Sequence, residues 1–229
     1  MIKRLKIQNF RGIKEGTLEL SPITILLGPN NSGKSTILEA LFLAPNPGRE
    51  VPYIPLRDQN TAAGVIYFLH ETLDYRGYTF LFHNYTSQLS EIECDINGDR
   101  FSLRFMNMGS LIYLTTNKEI KRGAGLVTVN GAKIPFFGFL SRDNLQANMV
   151  STPTELFMEE TLLISPTLIK PAFEYLRRNW APIINMGVCK GVAKEASTLS
   201  PESYRDLTIE PFIGGQPELY AYLEDGRRI

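Results

Sequence analysis

The sequence predicts an α/β fold on three adjacent features. Ile23–Leu27 (Ile-Thr-Ile-Leu-Leu) is a short, continuously apolar run, the pattern of a central strand covered on both faces. Ser35–Leu43 carries apolar residues at Ile37, Leu38, Leu41 and Phe42, the spacing of an amphipathic helix. Between them lies a loop bounded by Gly28 and Gly33.

The flanking elements follow in order. Ile2–Phe10 alternates imperfectly, which suits an edge or half-buried strand. Arg11-Gly12 turns the chain, Thr17–Leu20 returns, and Ser21-Pro22 breaks the return strand. Two prolines and a glycine in Ala44–Gly48 end the helix. From Val51 to Phe139 short β-rich runs alternate with turn signals. Strands are expected at Gly64–Leu69, Tyr78–Asn84, Ser90–Ile96, Arg100–Met106, Leu111–Thr115 and Leu126–Val129. Asn97-Gly98 and Asn130-Gly131 are hairpin dipeptides, because both residues tolerate positive φ. Thr152–Trp180 reads as helical, first around Leu156, Phe157, Leu162 and Leu163, then after Pro166, with Pro171 in the first turn of the second helix or kinking it. Val188–Leu199 is a third helix. Glu218–Leu223 reads as a strand and Asp225-Gly226 as a turn with three residues after it, so the chain is expected to be an N-terminal piece. The expected organisation is a core over residues 1–50, an antiparallel β lobe over 51–139, and a helical segment ending in the start of a hairpin over 140–229.

Composition bounds the rest. The chain has 229 residues, 43% hydrophobic and 21% charged, with zero formal net charge. That is a globular chain with no overall charge bias toward nucleic acid or anionic membrane. Cys94 and Cys189 lack metal-ligand spacing and read as free thiols in a reducing compartment. No apolar run is long enough to span a bilayer, and no apolar stretch follows the basic N-terminus as in a signal peptide. A cytoplasmic location without membrane partners is expected.

The loop carries the chemistry. Gly28-Pro-Asn-Asn-Ser-Gly33-Lys34-Ser35 fits G-x-x-x-x-G-K-[ST] at every fixed position, with a predicted strand before it and a helix after it. The glycines let the backbone curl with its N–H groups inward. Lys34 brings a compact charge to the β- and γ-phosphates, and the Ser35 hydroxyl suits Mg²⁺. The helix start presents free N–H groups and a positive dipole end to the anion. A nucleoside triphosphate with Mg²⁺ is therefore the expected ligand, held by Gly28, Asn30, Asn31, Ser32, Gly33, Lys34, Ser35 and Thr36.

Three separated pieces carry a resemblance. Ile7-Gln-Asn-Phe-Arg-Gly12, then Ile23–Thr36 with its loop, then Ile37-Leu-Glu-Ala-Leu41 resemble the start of the SMC/RecF/OLD-like branch of the ABC-type P-loop ATPases. The close match covers residues 2 to about 43. Leu207–Gly215 through Ile229 also looks OLD-like, more weakly. The resemblance implies a P-loop NTPase core with an antiparallel β lobe, and ATP as the nucleotide. It implies Arg11 beside the phosphates or base, and a glutamine near the metal and attacking water, for which Gln146 stands in about the right region. It also implies a head-to-tail dimer of two copies around ATP, and work in DNA repair or phage defence with DNA as a partner. The family's signature segment and Walker B strand normally follow the point where this chain stops, so ATP is expected to be bound far better than hydrolysed.

Three rivals stand beside this reading. Asp74-Tyr-Arg-Gly77 matches the GTPase D-x-x-G, but in Asn117-Lys-Glu-Ile120 the residue that should read guanine is Ile120, which cannot accept a hydrogen bond. A transporter-type ATP-binding subunit usually places an aromatic residue before the loop to stack on adenine and couples to membrane domains; the Asn9-Phe10-Arg11 strand end argues for the other branch. A non-catalytic nucleotide-sensing module shares the same loop without turnover.

Overall fold

A computed structural model describes residues 1–54, 61–70, 77–96, 98–116, 125–129, 132–136, 138–141, 147–149, 161–211 and 217–229. They form two compact units, Met1–Thr167 and Leu168–Ile229.

The first unit is organised by one antiparallel sheet. β1 (Ile2–Phe10) and β2 (Ile13–Glu19) form a hairpin about Arg11-Gly12, with Phe10 opposite Ile13. β3 (Leu89–Ile96), β4 (Asp99–Met108), β5 (Leu111–Thr116), β8 (Gly138–Ser141) and β9 (Ala147–Met149) extend it in the order β2-β1-β3-β4-β5-β8-β9. β6 (Gly125–Val129) and β7 (Ala132–Phe136) pair separately, Val129 opposite Ala132. The expected hairpins at 97–98 and 130–131 thus join paired strands; of those four residues only Gly98 is described, at φ 97°.

Period-two alternation sets the faces of the sheet. Leu5, Ile7, Ile92, Cys94, Leu103, Phe105, Ile112 and Leu114 are buried. Arg4, Lys6, Glu91, Glu93, Asp95 and Arg104 alternate with them along the strands and pair across them, Lys6 with Glu93 at 3.4 Å and Arg104 with Glu91 at 2.6 Å. Such half-buried pairs on the solvent side of the strands help fix the register, because a one-residue slip would put the charges into the core.

Two helices accompany the sheet. α1 (Lys34–Leu43) follows the loop and lies against β1 and α2 (Ala62–Leu69). α2 occupies a segment expected to be a strand. The Thr61 side chain caps it by accepting from the Gly64 N–H at 3.1 Å, and Ala62 to Ile66 are all buried. A short apolar run reads the same way in a buried strand and in a buried helix turn, and the cap decides for helix. The expected strand at Tyr78–Asn84 is likewise absent. Gly77–Leu81 and His83–Tyr85 are short 3₁₀ turns, with Asn84 and Tyr85 at positive φ (51° and 63°). The aromatic burial that suggested a strand is real: Tyr78, Phe80 and Phe82 are all buried.

Two further expectations fail in this unit. Ile23–Leu27 forms no strand, and Ile23, Ile25 and Leu27 are 84%, 76% and 89% exposed. A central strand needs ladder partners on both edges and cover on both faces, and the described residues supply neither. α1 also buries a different face from the one its apolar spacing suggested. Thr36, Glu39, Ala40, Phe42 and Leu43 are buried, whereas Leu38 is 47% exposed. A charged side chain, Glu39, takes part of the buried stripe.

The second unit holds α3 (Pro166–Arg178) from Leu168 onward, α4 (Trp180–Asn185) and α5 (Val188–Leu199), then the hairpin β10 (Tyr204–Pro211) and β11 (Pro217–Leu223). Pro171 lies inside α3, beyond its first turn. Leu162 and Leu163 precede the helix and are not helical; Leu156 and Phe157 lie outside the described residues. α5 packs on β10, and Ser197 ties them, accepting from the Tyr204 N–H at 2.7 Å and donating to the Ala193 carbonyl at 2.9 Å. After the Asp225-Gly226 turn the chain returns onto β11, with Ala221 and Ile229 exchanging both backbone hydrogen bonds. Cys94 and Cys189 are both free and buried, and burial raises the Cys94 thiol to about 12, so it stays protonated. No helix among the described residues is long and apolar enough to cross a membrane.

Candidate nucleotide site

Gly28 and Gly33 stand where an added side chain would be crowded or strained. A Cβ at Gly28 would meet the Ser32 hydroxyl at 2.8 Å, too close for any side chain. Gly33 sits at φ 88°, and its Cβ position lies 3.4 Å from the Ile13 side chain at the start of β2. The hairpin turn of β1 and β2 therefore abuts the end of the loop. Asn31 takes a left-handed φ of 62°, which asparagine tolerates better than most residues.

Gly33 is the N-cap of α1, and no side chain caps the helix. Its first turn contains no acidic residue. The leading N–H groups of α1 thus lack side-chain acceptors, and the dipole end they mark is not neutralised from within the chain. An anion at this point would satisfy both. The Lys34 ammonium bends back over the loop, donating to the carbonyls of Gly28 (2.7 Å) and Pro29 (2.6 Å) and to the Ser32 hydroxyl (3.3 Å). Phosphate oxygens are stronger acceptors for that charge than peptide carbonyls. Asn30, Asn31, Ser32 and Ser35 are exposed, while Thr36 is buried at 7% exposure.

Arg11 lies beneath the helix rather than over the loop mouth. Its guanidinium pairs with the Glu39 carboxylate of α1, and its side chain is 15% exposed against 5% for Glu39. His70, the C-cap of α2, closes a ring: its Nε2 lies 3.0 Å from Glu39 Oε1, and its Nδ1 lies 3.5 Å from Arg11 Nη2. One neutral tautomer satisfies both contacts, with Nε2–H donating to Glu39 and Nδ1 accepting from Arg11. Burial and the Arg11 charge hold the imidazole down at about 4. Burial also lowers the Arg11 guanidinium to about 10, partly offset by the nearby Tyr85 phenol, so Arg11 stays cationic at neutral pH. The backbone of the turn is fixed too: Arg11 N–H donates to the Leu81 carbonyl at 3.1 Å, and His83 Nδ1 meets the Arg11 carbonyl at 3.0 Å. The resemblance implied Arg11 beside the phosphates or base; here it meets Glu39 and His70, which the sequence reading had not singled out. The available signal was a glutamate between apolar neighbours on a short helix.

This ring makes a pH prediction. His70 titrates near 6.5 when unfolded and near 4 when folded. Between those values the unfolded chain binds more protons, so the His70 contribution is fully present above 6.5 and is lost as pH falls through 4. Urea midpoints at about pH 5 and about pH 7.5 should differ more for the wild type than for His70→Phe. Equal pH dependence of the two would contradict the burial of a neutral His70.

Gln146, Asp74, Asn117 to Ile120, Glu155, Glu159 and Glu160 lie outside the described residues. Among the described residues no group of His, Cys, Asp and Glu could hold a metal by itself. Glu195 stands exposed on α5, and Glu210 is engaged by Tyr222 (2.6 Å) and Arg228 (2.9 Å).

Residues 1–100 match the AAA ATPase domain family. The chain is similar to the OLD nuclease of Thermus scotoductus, 49% identical over 43 residues, which are 19% of this chain and 8% of that protein. It is similar to the DNA replication and repair protein RecF of Vibrio vulnificus, 51% identical over 43 residues (18% of this chain, 12% of the relative). The RecF of Brucella abortus matches at 40% over 76 residues, 32% of this chain and 19% of the relative. The matched stretches span less than a fifth of each of these relatives' own length. Residues 1–100 thus match an AAA ATPase domain, and the similar proteins, RecF and OLD nuclease, are of the SMC/RecF/OLD-like, ABC-type P-loop branch.

Proposed function

We propose that this chain is the ATP-binding part of an SMC/RecF/OLD-like ATPase head, with Mg²⁺ bound alongside the nucleotide. The observation that carries the reading is the loop itself: an uncapped helix start without acidic residues, facing a lysine whose ammonium is held on the Gly28 and Pro29 carbonyls. Gly28 to Ser35 would cradle the phosphates, Lys34 would meet the β- and γ-oxygens, and the exposed Ser35 hydroxyl would ligate Mg²⁺. The metal would neutralise charge between those phosphates. Arg11 stands behind the site, its guanidinium on Glu39 of the helix that follows the loop.

The exposed apolar surface supports a head completed by further β-structure. Ile23, Ile25, Leu27 and Leu38 are all exposed beside the loop. A run of this kind next to a functional loop marks a surface that another element covers. The sequence has no apolar run ending in Asp-Glu. Two complete copies close around ATP, and DNA is the substrate on which the assembly works.

Turnover separates this proposal from a complete enzyme. Hydrolysis needs a carboxylate to orient water and donors to stabilise the transition-state charge, and in P-loop enzymes one such charge-stabilising group is worth ~10³–10⁵ in rate. The chain alone should therefore bind ATP and release phosphate no faster than a Lys34→Ala blank. Steady release well above that blank, abolished by replacing Glu195 or Glu210, would show a self-sufficient enzyme and contradict the proposal.

A further inference from the structure

We infer that Glu39 and His70 are positioning residues for Arg11, and that nucleotide affinity at the loop depends on their grip on its guanidinium. The inference rests on the nucleotide reading above and adds two residues to that site. Three separate elements meet in this ring: the turn between β1 and β2, the buried face of α1, and the C-cap of α2. Glu39 is 5% exposed at its side chain, His70 13% and Arg11 15%. A buried carboxylate that contacts one arginine and one neutral histidine leaves the arginine little freedom. The Phe80 ring, whose centroid is 6.0 Å from the guanidinium and 5.3 Å from the His70 ring, closes another side.

The geometry links this ring to the loop. The Arg11 turn leads directly into Ile13, whose side chain bounds the Gly33 Cβ position. Glu39 belongs to the helix that begins with Lys34 and Ser35. Displacing the guanidinium therefore moves a turn that touches the end of the loop. Glu39 needs no contact with nucleotide for this; it acts through Arg11.

A double-mutant cycle on affinity tests the inference. Isothermal titration would measure MgATP binding to the wild type, Arg11→Ala, Glu39→Gln and the double variant, with Lys34→Ala as the reference for lost binding. Each single change should weaken binding by about tenfold, within the range typical of coupling between linked sites. The double variant should bind like Arg11→Ala to within about twofold, because Glu39 then has nothing to position. Melting temperatures will couple for any buried pair, so the affinity cycle decides. If Glu39 only supported the shape of α1, its loss would persist in full in the Arg11→Ala background. That outcome, or wild-type affinity in Glu39→Gln, overturns the inference. His70→Phe, which keeps a ring against Phe80 but removes both polar contacts, provides the same cycle where Glu39→Gln fails to fold. Retained binding in Lys34→Ala would instead defeat the nucleotide reading itself.

Discussion

Lys34→Ala should lower MgATP affinity by about 10²–10⁴ while leaving the fold intact. The estimate follows from two charge-assisted hydrogen bonds to phosphate at about 1.5–3 kcal/mol each, with tenfold for every ~1.4 kcal/mol. In the structure the ammonium already makes bonds of 2.7 Å and 2.6 Å to the Gly28 and Pro29 carbonyls. Those acceptors lie on an exposed loop, so truncating Lys34 leaves them to water and costs little stability. Lys34→Arg should recover only part of the affinity, because a planar fork does not replace a point charge inside a tight loop. Equilibrium binding of the three proteins, with circular dichroism as the fold control, measures this. Unchanged affinity in Lys34→Ala would place the nucleotide elsewhere.

Arg49→Ala should destabilise the first unit by about 2–4 kcal/mol, the range for breaking a buried charged network. Arg49 is 8% exposed, and its guanidinium donates to the carbonyls of Phe42 (2.7 Å), Asn46 (3.2 Å) and Thr161 (3.1 Å). It also sits 4.3 Å from the centroid of the Phe42 ring. Burial lowers it to about 10, so the charge remains at neutral pH. Its position at the C-terminal end of α1 matches the negative end of that helix, where the Phe42 carbonyl belongs to the last turn. Alanine would remove the guanidinium donors from these carbonyls, the buried one of Phe42 included, and leave a cavity. Arg49→Lys should fall between the two, since one ammonium cannot span all three. Urea unfolding would show the loss as a lower midpoint at unchanged slope. A shift below about 0.5 kcal/mol would mean that water replaces the guanidinium.

The loop and the β3–β4 hairpin were legible because local chemistry dictates them. Gly28 and Gly33 are required by a 2.8 Å contact and a left-handed φ within the same few residues. Gly98 follows from its own turn, and α5 occupies the residues that helix spacing indicated. Elements whose identity depends on distant partners were not legible. Gly64–Leu69 is apolar in either state, and the Thr61 cap with the packing of its neighbours makes it a helix. Ile23–Leu27 has the composition of a buried strand, but composition cannot provide ladder partners. Of the site, Arg11 came from a resemblance, and Glu39 and His70 came from neither pattern nor motif. They lie on separate elements, so only the packed structure brings them to the same guanidinium.

The central claim is tested most directly by titrating the wild-type chain with ATP, with and without Mg²⁺, beside Ser35→Ala. The account predicts one saturable site that tightens when Mg²⁺ is present, and a metal dependence that is lost in Ser35→Ala. Absence of saturable ATP binding, or a response to Mg²⁺ identical in wild type and Ser35→Ala, would contradict it.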